Sequence, residues 1–400
     1  MRIQRNRSRL TFRTRRRRRW SGGCLPLALA IGVLIGVGLV ARQWVQTQLS
    51  LMSLDDSGDL RSAQQAFDDG DLDAAIFAAG QVWSASQDRP DALVLLARAL
   101  VYRSYSDWNR DADRLTALQL TADALERLPD DPDVQAIHAF TLQAAGQPVN
   151  AARIAEQALR QQPNHTLARI ALGLAYGRVG GFESALRENQ AAYDNGDWPL
   201  DAQRALAVSQ HDMGRYRDAA RTVDAAIALN GRLPVLHFER ALYAIQTGDM
   251  DRATAAYFRV LAFDPDNVKA RLRLCEVSGL LAERDTAIRY CQEVTEAAPT
   301  WADGWHRLGR EYFLKGDFAS ARDSLRRCTT LLTAQQVPID QRPFECWYLQ
   351  GQAAELLGDC DTLLHTYNEF KEMAAAANLP QTWTYPPEGP EICLPADAEP

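Results

Sequence analysis

The chain has 400 residues, of which 46% are hydrophobic and 24% are charged, and this composition is typical of a folded protein rather than a disordered one. The formal net charge of −7 is unevenly distributed, because residues 1–42 contain eleven arginines and no acidic residue, which leaves −18 for residues 43–400. An acidic surface repels phosphate backbones, and this argues against nucleic-acid binding by the main body of the chain.

The first predicted element is an apolar run of eighteen uncharged residues from Cys24 to Ala41. As an α-helix with a rise of 1.5 Å per residue, it would extend for about 27 Å, close to the hydrocarbon thickness of a bilayer. Trp20 and Trp44 flank the run, as expected for indole rings at the two membrane interfaces. We therefore predict a transmembrane helix at residues 24–41, preceded by an Arg-rich tail at 1–23 and followed by a linker at 42–55.

The arginines also predict the orientation of this helix. By the positive-inside rule, the Arg-rich tail stays in the cytoplasm and the rest of the chain lies outside. A cleaved signal peptide is disfavoured, because Leu39 stands where a cleavage site before Ala41 would need a small residue. We expect an uncleaved signal anchor and a single-pass protein of the cell membrane with an extracytoplasmic main domain. The inverted topology, a cytoplasm-facing adaptor, is the alternative.

A period of thirty-four residues dominates the chain after the linker. One series of positions is glycine with a single exception: Gly146, Gly180, Gly214, Gly248, Ala282 and Gly316. A second series is alanine throughout: Ala151, Ala185, Ala219, Ala253, Ala287 and Ala321. Glycine permits the positive φ of a tight turn, and alanine lets two antiparallel helices approach closely. Each unit is therefore predicted to be a helix, a turn and a second helix, with prolines such as Pro163 and Pro265 near its end.

One of these units carries a specific family pattern. The residues that form it are Trp305, Leu308, Gly309, Tyr312, Gly316, Asp317, Phe318 and Ala321. Their spacing resembles the W-x2-L-G-x2-Y-x3-G-[DN]-[YF]-x2-A pattern of tetratricopeptide (TPR) repeats. The resemblance covers six contiguous units between Pro132 and Gln335 and extends more weakly to an array of about nine units over residues 56–377. Two eight-residue inserts, Ser104–Asp111 and Gln336–Pro343, interrupt the period.

The resemblance implies the fold. It predicts an all-α, right-handed superhelical solenoid of antiparallel helix pairs, placed after one transmembrane helix. The last segment, residues 378–400, is too rich in proline to form another helical pair. We expect it to be a strap packed on the array through Trp383 and Tyr385, or else a loose tail.

The resemblance also implies where a partner would bind. In tetratricopeptide proteins the first helix of each unit lines the concave face. The residues of this chain that we place in a partner-binding groove on that face are Leu167, Ile170, Leu174, Arg204, His211, Val235, Phe238, Leu242, Ile245 and Phe313. An apolar face at positions expected to meet water favours the binding of a peptide segment, and we select Phe238 and Leu242 as its anchors. The predicted partner is a protein or peptide, and homo-oligomerisation stays open.

No pattern in the chain indicates catalysis. The six histidines are dispersed, and the sequence contains no HExxH, P-loop or GxSxG motif. We therefore predict a non-enzymatic scaffold with no metal and no cofactor, acting as an extracytoplasmic assembly or recruitment factor. The alternative is a non-catalytic accessory domain of a glycosyl- or polysaccharide-handling enzyme system.

Six of the seven cysteines lie between residues 275 and 393. In an oxidising compartment such cysteines form disulfides. Cys275 and Cys291 fall on opposite helices of one predicted hairpin, and Cys393 has either Cys360 or Cys346 as a candidate partner. Cys275 and Cys328 also occupy small-residue packing positions, where a buried free thiol is the alternative.

Overall fold

The computed structural model describes residues 56–380, 383–386 and 389–394. The predicted transmembrane helix at 24–41, its Arg-rich tail and its linker lie outside these ranges. Within them, no helix combines the length and the apolar character needed to cross a bilayer.

Eighteen α-helices and no strand occupy the described ranges, which confirms the prediction of an all-α helical-repeat solenoid. The helices are α1 Asp56–Asp68, α2 Leu72–Ala85, α3 Pro90–Ser104, α4 Ala112–Arg127, α5 Pro132–Ala144, α6 Pro148–Gln161, α7 Thr166–Arg178, α8 Phe182–Asn195, α9 Pro199–Asp212, α10 Tyr216–Leu229, α11 Pro234–Gln246, α12 Met250–Phe263, α13 Val268–Leu280, α14 Arg284–Ala297, α15 Ala302–Lys315, α16 Phe318–Ala334, α17 Glu345–Leu357 and α18 Cys360–Ala376. Each odd-numbered helix pairs with the next helix along the chain to form one unit.

The glycine and the residue after it form the turn between the two helices of a unit. The glycines of the 34-residue series have φ values between 73° and 87°. This left-handed backbone conformation ends an α-helix, and residues with a side chain adopt it less readily than glycine does. In four units an aspartate follows the glycine, and its side chain accepts a hydrogen bond from the backbone N–H three residues later, as Asp317 does from Ser320. The aspartate therefore caps the second helix where the first one ends.

The alanine series lies at the interface between the two helices of a unit. Five of its six members are fully buried, and Ala185 is 1% exposed. A larger side chain at these positions would separate two helices whose backbones are in close approach. The small residues thus set the spacing within a unit, while larger side chains fill the space between units.

Three disulfides brace the C-terminal units. Cys275–Cys291 joins α13 to α14, and Cys360–Cys393 joins the start of α18 to the C-terminal segment. Cys328 bonds to Cys346. The alternative of buried free thiols at Cys275 and Cys328 is therefore not what the structure contains, because in each case a second cysteine lies opposite, on the helix that packs against it.

The C-terminal segment is a strap in its described parts. Trp383 is buried and meets Tyr348, Tyr367 and Phe370 edge to face. A Cβ on Gly351 would lie only 2.1 Å from the Trp383 ring, so the indole occupies the space left by that glycine. The strap thereby covers the last helix pair of the described residues, α17 and α18.

Candidate functional site

The concave side of the solenoid is formed by the first helices of the units. Helices α3, α5, α7 and α9 contact one another in succession, whereas the second helices of successive units do not contact each other to the same extent. An array bends towards the side on which its elements approach most closely. Candidate binding residues are therefore those that the first helices present on this inner side.

Three of the residues placed in the groove belong to the core instead. Leu167 and Ile170 are fully buried, and Val235 is 5% exposed. Leu167 and Ile170 lie on α7, which packs against both α5 and α9, and Val235 belongs to the same hydrophobic core, so these side chains cannot reach a partner. The prediction that they line an open groove is wrong for this reason.

The first unit, α1 and α2, covers part of the concave side. The amide of Asn230, which precedes α11, donates a hydrogen bond to the carbonyl of Phe67 in α1 at 2.8 Å. A Cβ on Gly70 would lie 2.6 Å from the Cβ of Arg232. The first unit thus packs against the loop before α11, a contact that spans five units.

A buried ion pair makes a second closure between distant units. Arg98 of α3 contacts Asp201 of α9, with 2.5 Å between Nη2 and Oδ2, and the Tyr102 hydroxyl donates to the same carboxylate at 3.0 Å. The Arg98 guanidinium also lies over the rings of Phe67 and Trp198, 4.5 and 4.3 Å from their centroids. This network joins α3 to α9, two of the helices that form the concave face.

A cavity of about 470 Å³ remains on this face. The side chains that line it are Tyr105, Arg114, Gln143, Leu174, Arg178, Arg204, Val208, Ser209, Asp212 and Glu239. Leu174 and Arg204 come from the predicted groove, on α7 and α9. Sequence reasoning missed Arg178 and Asp212, although the 34-residue step places both at the ends of first helices. It also missed Tyr105 and Glu239.

The cavity combines one internal ion pair with further charged groups. Arg204 donates from Nε and Nη2 to Oε1 of Glu239, at 2.9 and 2.7 Å. Burial disfavours the charged guanidinium, but Glu239 outweighs this effect and raises the pKa of Arg204 above its usual value. Burial raises the pKa of the Glu239 carboxyl, whose Oε2 is buried without a hydrogen-bond partner among the described residues.

The other charged groups at the cavity are more accessible. Asp212 contacts the imidazole of His211, with 3.3 Å between Oδ1 and Nδ1. Arg178 is exposed and makes no ion pair with any residue in the described ranges. Leu174 and Val208 are half-buried and supply apolar surface between the charges. The cavity therefore offers donors, acceptors and an apolar wall within one enclosure.

The remaining members of the predicted groove do not join this cavity. The His211 ring packs on Tyr243, at 5.2 Å between centroids. Phe238 is half-buried beneath the ammonium of Lys269, which lies 4.8 Å from the ring centroid. Leu242, Ile245 and Phe313 lie further along the array; Leu242 is 40% exposed, whereas Ile245 and Phe313 are half-buried. The structure thus divides the predicted groove into a core part, a cavity part and a separate surface part.

A metal site is not apparent from geometry. The described parts of the chain contain no group of three or more His, Cys, Asp or Glu side chains arranged to hold an ion.

Comparison with known proteins supports the repeat assignment. Residues 302–331 match the family model of the tetratricopeptide repeat. No curated protein matches the chain. The fold is similar to that in the crystal structure of the APC/C hetero-tetramer Cut9–Hcn1, at 18% identity and a TM-score of 0.58, over 82% of this chain and 62% of that one. This chain therefore spans less than two thirds of the length of that protein.

Two further structures are more distant. A tetratricopeptide repeat protein from Parabacteroides merdae aligns at 16% identity and a TM-score of 0.40, over 64% of this chain and 98% of that one. The human IFIT1 dimer with PPP-AAAA aligns at 16% identity and a TM-score of 0.49, over 80% of this chain and 73% of that one. At 18% identity, the similarity to the Cut9–Hcn1 structure establishes the fold alone, an all-α solenoid of helical repeats.

Proposed function

We propose that this chain is a membrane-anchored scaffold that binds a protein or peptide partner on the concave surface of its repeats, and that it assembles or recruits other proteins outside the cytoplasm. The observation that carries the proposal is the cavity between α5, α7, α9 and α11. Helical-repeat solenoids present extended concave surfaces for binding. Here part of that surface forms a cavity lined by charged, polar and apolar side chains.

The cavity suits a short segment of polypeptide. Its volume of about 470 Å³ falls within the range of pockets that enclose small ligands, so its size suits a short segment rather than a folded domain. Arg178 can donate to a main-chain carbonyl or a carboxylate, and Asp212 can accept from an N–H group. Leu174 and Val208 would contact an apolar side chain. The Ser209 hydroxyl in the lining is buried and accepts a hydrogen bond from the Asn189 amide at 2.7 Å, an arrangement that fits a binding role.

The binding proposal predicts that a partner crosslinks at the cavity. We expect a photo-crosslinking side chain at Val208 to trap a protein in living cells. The same side chain at Val149, which is 74% exposed on a second helix, should trap none of it. The trapped protein, once purified, should bind Arg178→Ala/Asp212→Ala at least about ten-fold more weakly than it binds the wild type, a loss of about 1.4 kcal/mol.

A matched control separates this effect from a change in net charge. Arg221 and Asp285 have side chains that are 81% and 86% exposed, away from the cavity. Arg221→Ala/Asp285→Ala should bind the partner as the wild type does. Equal affinity for both double variants would contradict a partner site at the cavity.

We also propose that residues 24–41 anchor the chain in the cell membrane, with the repeats on the extracytoplasmic side. The Arg-rich tail before the apolar run supports this orientation. The three disulfides support it as well, because such bonds persist in oxidising compartments and are rare in the cytosol.

This topology predicts both a thiol count and a protease pattern. After denaturation without reductant, only Cys24 should react with a maleimide, because the other six cysteines are paired. Protease added to sealed cells should digest the chain beyond residue 55 and leave the Arg-rich tail intact. Seven reactive thiols before reduction, or complete protection of the repeats, would overturn the extracytoplasmic assignment.

A further inference from the structure

The segment between α3 and α4 lies against a helix that is some 160 residues away in sequence. Of the first insert predicted at Ser104–Asp111, residues 105–111 lie outside the flanking helices, since α3 ends at Ser104 and α4 begins at Ala112, and from here on we call these seven residues the insert. The Asp107 carboxylate accepts hydrogen bonds from the backbone N–H groups of Lys269 and Val268, at 2.9 and 3.4 Å. These two groups begin α13, so Asp107 occupies the positive end of that helix.

The main chain of the insert is held by side chains of the same helix end. The Lys269 ammonium donates to the carbonyl of Tyr105 at 2.7 Å. The Asn267 amide donates to the carbonyl of Ser106 at 2.9 Å. Two successive carbonyls and one carboxylate are thus recognised by groups that come from three consecutive residues.

An aromatic contact completes the arrangement. The ring of Trp108 stacks on the ring of Trp301, which lies just before α15, with centroids 5.5 Å apart and planes 18° apart. The carboxylate and the ring that are recognised therefore belong to adjacent residues. Such stacking is worth about 0.5–1.5 kcal/mol beyond the area that it buries.

These contacts resemble those of a bound peptide more than those of a core segment. Residues 105–108 are half-buried and 109–111 are exposed, so the insert contributes no fully buried side chain. The groups at the start of α13 and just before α15 recognise an extended backbone, one carboxylate and one ring, and none of these contacts requires the insert to be covalently continuous with α3. A second segment with the same features would find every one of them.

We propose that Asn267, Lys269, Trp301 and the N-terminal N–H groups of α13 form a binding site for an extended segment in which an acidic residue directly precedes an aromatic residue. The insert is its resident occupant, and a partner carrying the same motif displaces it. This site is separate from the cavity proposed above. The two are nevertheless adjacent, because Tyr105 also forms a wall of the cavity, so displacement of the insert would widen the cavity.

The test uses the sequence of the insert as the ligand. The probe is a fluorescein-labelled peptide, Ser-Tyr-Ser-Asp-Trp-Asn-Arg, which copies residues 104–110. Binding to the full-length protein is measured by fluorescence anisotropy. A tethered segment competes at an effective concentration in the millimolar range, so the wild type should bind the peptide weakly. Asp107→Asn/Trp108→Ala, which disables the resident segment, should bind it at least about ten-fold more tightly.

Two controls identify the site. Adding Lys269→Met to the double variant should remove the gained affinity, and a peptide with its Asp and Trp exchanged for Asn and Ala should not bind. Adding Arg178→Ala/Asp212→Ala should leave the affinity for the peptide unchanged, which separates failure of this site from failure of the cavity. Equal, weak binding of the peptide to the wild type and to the folded double variant would overturn the proposal.

A second measurement covers the case in which the double variant unfolds. If the insert is replaceable, it must dissociate from α13 in the wild type while the rest of the protein stays folded. Amide hydrogen exchange at Val268 and Lys269 should then be at least about ten-fold faster than at the buried Leu272 and Leu274 in the middle of the same helix. Exchange of all four amides at the rate of global unfolding would show that the insert is a fixed part of the fold and would overturn the proposal.

Discussion

Replacing Asp201 with alanine should lower the free energy of unfolding by about 3–5 kcal/mol, since it leaves the charge of Arg98 buried without a counter-charge. The side chains of Arg98 and Asp201 are 5% and 1% exposed, so water cannot replace the lost carboxylate. The hydroxyl of Tyr102 would lose its acceptor in the same step. Urea denaturation followed by circular dichroism measures the effect.

Two comparisons make the Asp201 result specific. Asp218→Ala removes a carboxylate that is 29% exposed and pairs with exposed arginines, so its cost should stay below about 1 kcal/mol. Arg98→Met/Asp201→Leu removes both buried charges and should recover most of the lost stability, since an apolar pair of similar volume avoids the desolvation cost. A similar loss for Asp201→Ala and Asp218→Ala would contradict the role assigned to this pair.

The repeats could be predicted from the sequence because their determinants are local. The turn at Gly316 and the cap at Asp317 act within a few residues, and Ala321 contacts the helix immediately before its own. The glycine recurs with one exception and the alanine without exception at a step of thirty-four residues in six contiguous units, so periodicity alone reveals the helix pairs.

The candidate site could be predicted only in part, because its determinants join distant units. The repeat register places Arg204 of α9 on the inner face, but it does not reveal the ion pair of Asp201, on the same helix, with Arg98, which is 103 residues earlier. Register also placed Leu167 and Ile170 on that face, and the curvature that buries them depends on how closely neighbouring first helices pack. Nothing in the local pattern specifies that curvature.

The inserts were visible as interruptions of the period, but their destinations were not. The insert before α4 reaches α13, and this contact depends on the path of four intervening units. The cysteines show the same distinction. Cys275 and Cys291 lie in one hairpin, so register could pair them, whereas Cys346 follows the second insert and its approach to Cys328 depends on how that insert folds.

The largest effect expected at the C-terminal end is from Trp383→Ala. Loss of a buried tryptophan typically lowers the free energy of unfolding by about 3–5 kcal/mol. Here we expect the substitution to weaken the packing of the strap and not that of the helical units. Trp383 is 5% exposed and is surrounded by Tyr348, Tyr367 and Phe370. What would remain includes the Cys360–Cys393 disulfide and the hydrogen bond from the Tyr385 hydroxyl to Glu355, at 2.8 Å. We expect the strap to detach between its disulfide and α18, so that limited proteolysis cleaves after residue 378 while the helical content is kept.

Gly351→Ala should reproduce this release without removing the indole. Its new methyl group would lie 2.1 Å from a ring carbon of Trp383, a distance that forces the ring out of its place. Phe77→Ala removes a ring that is 68% exposed in the second helix and should leave the proteolysis pattern unchanged. Reduction of the disulfide in the wild type should release the strap far less than either substitution, because Trp383 still fills its site. If reduction alone gave full cleavage, or if Gly351→Ala resisted protease as the wild type does, the disulfide rather than the tryptophan would hold the strap on the last unit.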